Sequence, residues 1–320
     1  MKTATLLRTF LRTLLWAAAD LAALGLVALT IAGFAGKLWW ILDLFSHFRV
    51  QYLVGLLGML LVFGWGKRRG ASLVGAAALI NLLLIAPLHL PPAQPETSSA
   101  VYTLWYANVH TENALHTPTR KQIEHYSPDI VALVEPDQRW LDDLHLSDLY
   151  PYRVEIPRPD NFGLALYSRW PIANWEVRDF TGLGLPTLVA RLESPGGPLR
   201  LVLTHTMPPK GKYAAQLRDA HMTRLAAYIA EQDGAVMLVG DLNATSWTPY
   251  FRGWLRASGL RDSRRGFGVQ ATWPAAFWPL RVPIDHILIS PQIAVRQRAV
   301  GADIGSDHLP LWLQFDIHSP

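Results

Sequence analysis

Ala235-Val236-Met237-Leu238-Val239-Gly240-Asp241-Leu242-Asn243 is a run of five apolar residues closed by a carboxylate and a carboxamide two positions apart. The apolar run has the length and composition of a buried strand, and polar groups at i and i+2 beyond its end point toward one shared spot. Well downstream, Gly305-Ser306-Asp307-His308 sets a carboxylate beside an imidazole. Hydrolysis of a phosphodiester demands a hard-cation ligand, a group that orients water and donors for developing negative charge. Acid, amide and imidazole supply them.

From residue 101 onward short apolar, β-prone runs alternate with helical stretches, and no long repeat appears. Strands are expected at 101–109, 130–134, 163–168, 187–192, 199–204, 235–239, 284–289 and 311–315, with helices at 120–125 and 213–232. So many strands with so few helices exceed one modest sheet, and two sheets packed face to face with helices outside are expected. The polar residues of interest fall at strand ends: Asn108, Glu135, His205, and Asp241 with Asn243. Strands running side by side would gather them along one rim. Asp285 and the Asp307-His308 pair, bordering two later strands, would complete it.

In this order, Asn108, Glu135, His205-x-x-Pro208, Gly240-Asp241-x-Asn243, Ile284-Asp285-His286 and Ser306-Asp307-His308 resemble the endonuclease/exonuclease/phosphatase superfamily, of deoxyribonuclease I-like fold, in a membrane-anchored bacterial form. The resemblance covers residues 101–317. It implies a four-layer α/β/β/α sandwich that hydrolyses phosphoesters of nucleic acids, inositol phosphates or sphingomyelin with a divalent cation, Mg²⁺ first and Mn²⁺ as an alternative. By matching position, Glu135 resembles the principal metal ligand, with Asn108 and Asp307 as further ligands or close supports. Asp241 resembles the residue that orients or deprotonates the attacking water, and Asn243 the one that holds a phosphate oxygen. His308 resembles the imidazole facing the phosphate, and Asp285 the carboxylate that fixes its tautomer and favours its protonated form. His205 is expected to donate to the phosphoryl group or assist the leaving oxygen. His110 departs from the pattern, because relatives often carry Asp or Asn there; the departure falls at the position of a second metal site.

Each residue alone also has a plainer reading. Asp241-x-Asn243 fits an Asx turn after a strand, Glu135 before Pro136 a solvated loop acid, and His205 a strand-end cap. Six ordered motifs outweigh these readings. His286 alternates with Asp285 and should face away from the site, and His221 reads as a packed histidine on the 213–232 helix. Trp247, Phe267, Trp273, Phe277 and Trp278 cluster before the 284 strand. They fit a base-stacking platform or a surface that dips into lipid, with Trp273 expected in the core. Arg261, Arg264 and Arg265 form a small basic patch expected in a solvated loop.

Outward toward the N-terminus the chain changes character. Apolar runs at about 14–33, 50–66 and 70–90 are long enough, or nearly so, to cross a bilayer. Three membrane helices are thus expected over residues 1–90, a tether over 91–100 and a catalytic domain over 101–320. Pro91-Pro92-Ala93-Gln94-Pro95-Glu96-Thr97-Ser98-Ser99 reads as a stiff, solvated connection. The first run begins like a signal peptide, but its apolar part is too long and Ala32-Gly33-Phe34-Ala35 is a poor cleavage site. Lys2, Arg8 and Arg12 precede the first run and Lys67, Arg68 and Arg69 separate the second from the third, which puts both clusters in the cytoplasm. Three crossings leave the catalytic domain on the periplasmic side of a multi-pass inner-membrane protein. Asp20 is expected at the headgroup edge of the first span.

The 320 residues carry a formal charge of +4, but residues 1–99 hold 8 Lys and Arg against 3 Asp and Glu, while residues 100–320 hold 21 against 22. The basic excess belongs to the membrane part, and the remainder lacks the electrostatic footprint of a protein that grips many phosphates along a duplex. With no cysteine, thiolate chemistry and disulfides are excluded. The expected partners are the bilayer and a phosphoester of a lipid, nucleotide or nucleic acid, and no protein partner is inferable. A non-catalytic binding or scaffold module that keeps the fold is the competing expectation. Intact acids facing one another argue against it.

Overall fold

The computed structural model describes residues 2–91 and 100–318. Most of the expected tether, residues 92–99, lies outside them. The chain divides into two compact units, Met1–Pro87 with Trp247–Pro249, and Leu88–Ser246 with Tyr250–Pro320.

The first unit contains helices α1 (Lys2–Ala32), α2 (Trp40–Leu44), α3 (Arg49–Trp65) and α4 (Ala71–Ile85). Three stretches, Lys2–Ala32, Trp40–Trp65 and Ala71–Leu88, are long and apolar enough to cross a membrane. α1 starts earlier than its apolar run because nothing in residues 2–13 breaks a helix. Ala23, Tyr52, Leu56, Phe63, Val74, Ala77 and Ala78 pack together, while Leu21, Leu24, Leu61 and Leu83 remain exposed. The helices therefore carry apolar side chains both in their packed seam and on their outer surface. Asp20 lies inside α1 but pairs with Arg68, in the turn between α3 and α4. The acid therefore sits level with the turn that follows α3.

The second unit is built from β1 (Tyr102–Asn108), α5 (Thr117–Tyr126), β2 (Ile130–Val134), α6 (Gln138–Leu144), β3 (Tyr152–Ile156), β4 (Leu164–Ser168), β5 (Ile172–Asp179), β6 (Pro186–Ser194), β7 (Gly197–His205), α7 (Lys212–Ala230), β8 (Ala235–Asp241), α8 (Phe251–Ser258), β9 (Arg261–Asp262), β10 (Asp285–Ile289), β11 (Ile293–Val300) and β12 (Leu311–Ile317). The strands form two six-stranded sheets, ordered β11-β12-β1-β2-β4-β3 and β5-β6-β7-β8-β10-β9. Alternate residues of the central strands meet between the sheets, among them Leu104, Ala132, Leu166, Leu201, Met237 and Ile287. The intervening residues face outward under helices. Trp105, Val131 and Leu133 pack with Ile123 of α5 and Trp140 of α6, and Val202, Val236 and Leu238 pack with Leu225 of α7 and Trp254 of α8. Burial on both faces explains why these strands read as continuous apolar runs. The result is a four-layer α/β/β/α sandwich of the deoxyribonuclease I-like kind.

Each sheet holds one parallel pair in an otherwise antiparallel setting: β1 with β2, and β7 with β8. The shared direction brings the C-terminal ends of all four strands to one rim. Gly240 sits there beside Thr204, where a Cβ would fall 1.9 Å from the Thr204 carbonyl oxygen. Gly240→Ala is expected to lower the unfolding free energy by more than about 3 kcal/mol. Gly253, in α8, has open space around its Cβ position, so Gly253→Ala should be neutral or stabilising by about 0.5 kcal/mol. Urea denaturation of both variants checks the contrast, and equal effects would contradict it.

Candidate active site

Asp241 ends β8 and Asp285 begins β10, and the ladder between these antiparallel strands sets the two residues directly opposite one another. Both side chains are buried. Asp285 is saturated: the Tyr106 hydroxyl donates to Oδ1 at 2.8 Å, and the Thr272 hydroxyl and His308 Nδ1 donate to Oδ2, the latter at 2.8 Å. With Nδ1 so used, His308 turns Nε2 toward Asp241 Oδ2 at 3.6 Å. A carboxylate on Nδ1 fixes both the ring orientation and the tautomer.

On the other side of Asp241, His205 ends β7. Its Nδ1 donates to the Asn161 carbonyl at 2.8 Å, its ring packs on Phe162, and its Nε2 lies 3.6 Å from Asp241 Oδ2 and 3.8 Å from Glu135 Oε1. Asn243 reaches the same ring, donating Nδ2 to Thr206 O at 2.9 Å and to His205 Nε2 at 3.2 Å, while its backbone N–H donates to Asp241 Oδ1 at 2.8 Å. The Asx turn considered from sequence is thus present, and it holds a residue of the cluster in place.

The facing sheet contributes Asn108, at the end of β1, and Glu135, just past β2. Asn108 Nδ2 donates to Glu135 Oε1 at 2.8 Å and to Asp241 Oδ2 at 3.3 Å, bridging the two sheets. Its Oδ1 accepts from the His110 N–H at 3.0 Å. Glu135 adopts φ 67°, a left-handed conformation held by its N–H on Gly163 O at 2.8 Å and its carbonyl under the Thr111 hydroxyl at 2.8 Å. Such strain in a non-glycine residue persists only where the surroundings over-determine it. Glu135 Oε2 is buried and has no hydrogen-bond partner among the described residues. A buried carboxylate oxygen without a donor is costly unless a cation meets it.

Asn108, Glu135, His205, Asp241, Asn243, Asp285 and His308 therefore form one cluster. Asp307 stands at its edge with a half-exposed side chain, accepting from Trp273 Nε1 at 3.1 Å and lying 3.9 Å from His110 Nδ1. His286 points the opposite way, buried against Phe251 with Nε2 donating to the Ala244 carbonyl at 2.7 Å. Trp273 is at the rim, not in the core, its indole drawn out by Asp307. The expected basic patch does not form. Arg264 is buried in an ion pair with Asp262, and Arg261 donates to the carbonyls of Pro291 and Ile293. Two supports of the cluster were not singled out from sequence. Tyr106 is two residues before Asn108 on one strand, and so on the same face, a signal that was open to reading. Thr272 carries no such mark.

Electrostatics separate the two opposed acids. Burial, then the Asp285 charge, push Asp241 up to about 6 against the pull of His308 and His205. Burial would raise Asp285 too, but the charge of His308 and the hydrogen bonds from His308, Thr272 and Tyr106 hold it below its ordinary value. For His308, burial opposes the charge, yet Asp285 and then Asp241 and Asp307 push it up to about 10. One imidazolium between two buried carboxylates leaves one acid firmly ionised and the other near neutrality. Asp241, Asp285 and His308 present ligand-type atoms within 4.8 Å of one another. Both oxygens of Asp285 and Nδ1 of His308 are engaged with each other and with Tyr106 and Thr272. Of the cluster's buried carboxylate oxygens, Oε2 of Glu135 is the one to which no described residue donates, and it is left open to a cation.

The profile of the Endonuclease/Exonuclease/phosphatase family matches residues 106–308. No curated protein matches the chain. Among solved structures, D. rerio TDP2 complexed with single strand DNA product is similar with a TM-score of 0.58 at 20% identity, over 68% of this chain and 100% of that one. An endonuclease/exonuclease/phosphatase from Beutenbergia cavernae gives 0.56 at 18% identity, over 68% of this chain and 72% of its own. The 3' phosphatase NExo from Neisseria, bound to product DNA hairpin, gives 0.55 at 21% identity, over 67% and 99%. At these identities the likeness speaks for the fold.

Asp241 also marks where the cluster works against stability. Its value of about 6 lies above the ordinary 3.8, so between those pH values unfolding releases a proton. The metal-free protein therefore loses stability as pH rises through that window, and the deficit is complete above it. Asp241→Asn, which keeps the turn oxygen, is expected to raise the unfolding free energy by on the order of 1 kcal/mol at neutral pH with chelator, and by nothing below the window. Denaturation at two pH values reads this, and a less stable variant at neutral pH would contradict it.

Proposed function

The chain belongs to the endonuclease/exonuclease/phosphatase family, and on that footing we propose that it is a membrane-anchored, divalent-metal-dependent phosphoesterase that hydrolyses a phosphodiester by in-line attack of water. Water adds across a P–O bond, giving a phosphomonoester and an alcohol. The observation that carries this reading is the buried, partnerless Oε2 of Glu135, facing a cluster in which one acid is poised near neutrality and one imidazole is held charged.

Glu135 is the proposed principal ligand, with Asn108 and Asp307 beside it; the oxygen-rich set suits Mg²⁺, or Mn²⁺ in its place, since such ions keep several waters and take few protein carboxylates. When bound, the cation offsets negative charge on the phosphoryl oxygens. Asn108, as it stands, holds Glu135 and Asp241 in register through Nδ2. Asp241 orients the attacking water and takes its proton, a task suited to an acid near the working pH. His308 presents Nε2–H to the phosphoryl oxygen, and Asp285 fixes that ring and its charge. Asn243 offers its amide to a phosphate oxygen by giving up the 3.2 Å contact to His205, the longer of its two. That release frees the His205 Nε2 lone pair, which can take up a proton and then donate it to the phosphoryl group or the leaving oxygen. In-line displacement needs positioning and charge stabilisation, and these side chains supply both.

The three apolar helices support membrane association. The basic clusters at residues 2–12 and 67–69 support a periplasmic catalytic domain on a multi-pass inner-membrane protein. The phosphodiester is of a lipid headgroup, a small molecule or a nucleic acid.

The full chain in detergent is expected to release nitrophenol from bis-nitrophenyl phosphate with Mg²⁺ and to stop with chelator. Asp241→Ala should lower kcat by about 10³-fold and His308→Gln by 10²–10⁴-fold. Metal-independent turnover, or full activity in Asp241→Ala, would overturn the proposal. A reporter active only outside the cytoplasm, fused after Pro320, should give signal; silence would refute the orientation.

A further inference from the structure

Between β9 and β10 the chain runs Trp273-Pro274-Ala275-Ala276-Phe277-Trp278-Pro279-Leu280, eight residues without a charge. Its base is firmly tied. Trp273 and Val282 exchange backbone hydrogen bonds, Ala275 N donates to Asp307 O at 2.7 Å, Leu309 N donates to Thr272 O at 3.1 Å, and Arg281 donates to the carbonyls of Pro274 and Ala275. Trp273 adds its indole N–H to Asp307 and lies 6.5 Å, ring to ring, from His308. The same segment that touches the candidate site therefore also carries a tip, joined to it by these hydrogen bonds.

The tip is bare. Phe277 is 54% exposed, Trp278 78% and Leu280 48%. Three large apolar side chains exposed within one short stretch of a pinned loop are a liability in water unless something else covers them. A nucleic-acid strand is a poor occupant, because a stacking platform for a polyanion sits in a basic groove. The tip has no cation, and Arg281, at its base, points its guanidinium at the loop's own carbonyls. A bilayer surface is a good occupant. Trp and Phe favour the headgroup level, and an uncharged apolar tip gains by insertion. The membrane is also at hand: Ala71–Leu88 is apolar enough to span it, and only residues 89–101 separate that stretch from β1. Fully extended, that connection reaches no further than roughly 50 Å.

We propose that the Phe277, Trp278 and Leu280 tip is a lipid-contacting surface, and that the site pinned to it through Trp273, Asp307 and His308 takes its phosphoester from a molecule resident in the bilayer. The second clause rests on the hydrolytic reading above, and the first does not.

The absence of cysteine gives a clean test. Trp278→Cys and, as an exposed control on α5, Lys121→Cys are spin-labelled in the full chain, reconstituted into phosphatidylethanolamine and phosphatidylglycerol vesicles. Power saturation should show the label at 278 several-fold more accessible to oxygen than to a water-soluble nickel complex, with the reverse at 121. Equal aqueous access at both would overturn the surface. In parallel, Trp278→Ser should cut release of water-soluble label from a headgroup-labelled phosphatidylethanolamine at least 5-fold while leaving bis-nitrophenyl phosphate turnover unchanged. An equal fall in both, or a fall confined to cleavage of single-stranded DNA, would overturn the bilayer source. If the unaltered chain hydrolyses none of these, the hydrolytic reading fails, and with it the bilayer source; the spin-label result still decides the surface.

Discussion

Two carboxylates are buried opposite one another across the β8–β10 ladder, and the His308 imidazole lying against both is what lets them stay there. Without that cation, Asp241 and Asp285 would repel in a dry setting, and at least one would take up a proton. With it, the pair splits into unequal members. Asp285, wrapped by Tyr106, Thr272 and His308, is ionised and has no free oxygen. Asp241, with weaker contacts at 3.6 Å to two imidazoles, is held near neutrality. A buried charged triad is a poor way to stabilise a domain. It is a good way to hold one acid ready and one imidazole charged in the same pocket.

The fold exists around that triad in a definite sense. The parallel pairs β1–β2 and β7–β8 send four strand ends to one rim, and Asn108 ties the sheets together there by donating to Glu135 from one and Asp241 from the other. Three non-glycine residues at the rim, His110, Glu135 and Asn243, have positive φ values of 57°, 67° and 47°. Each redirects the chain just after a strand, and the side chains of Glu135 and Asn243 reach into the pocket. Backbone strain of this kind is concentrated where geometry matters more than stability.

Much of this was legible from residues alone, for physical reasons. Central strands buried on both faces read as apolar runs, and polar residues at their ends stood out against them. β3 and β5, at the sheet edges, expose most of their side chains, so neither alternation nor an apolar run marked them. β11 was hidden by Arg298, a buried cation bonded to Ser263 and Gln270 that breaks the apolar pattern. α6 and α8 have only 7 and 8 residues, too short for a helical period to register. Arg264 illustrates the opposite error. A run of arginines looked solvated, but Asp262 two positions earlier supplied the partner that let one of them go inside. In the cluster, residues bearing charge were found and those acting by a single hydroxyl, Tyr106 and Thr272, were not, because a tyrosine or threonine near a strand looks like packing.

The proposed hydrolysis depends on Glu135 meeting a cation with its partnerless oxygen. Titration of the full chain with Mn²⁺, followed by loss of the free-ion paramagnetic resonance signal, tests this most directly. One ion per chain, competed by Mg²⁺ and weakened more than ~10-fold by Glu135→Gln, is the predicted result. Binding that is absent, or indifferent to Glu135→Gln, would contradict it.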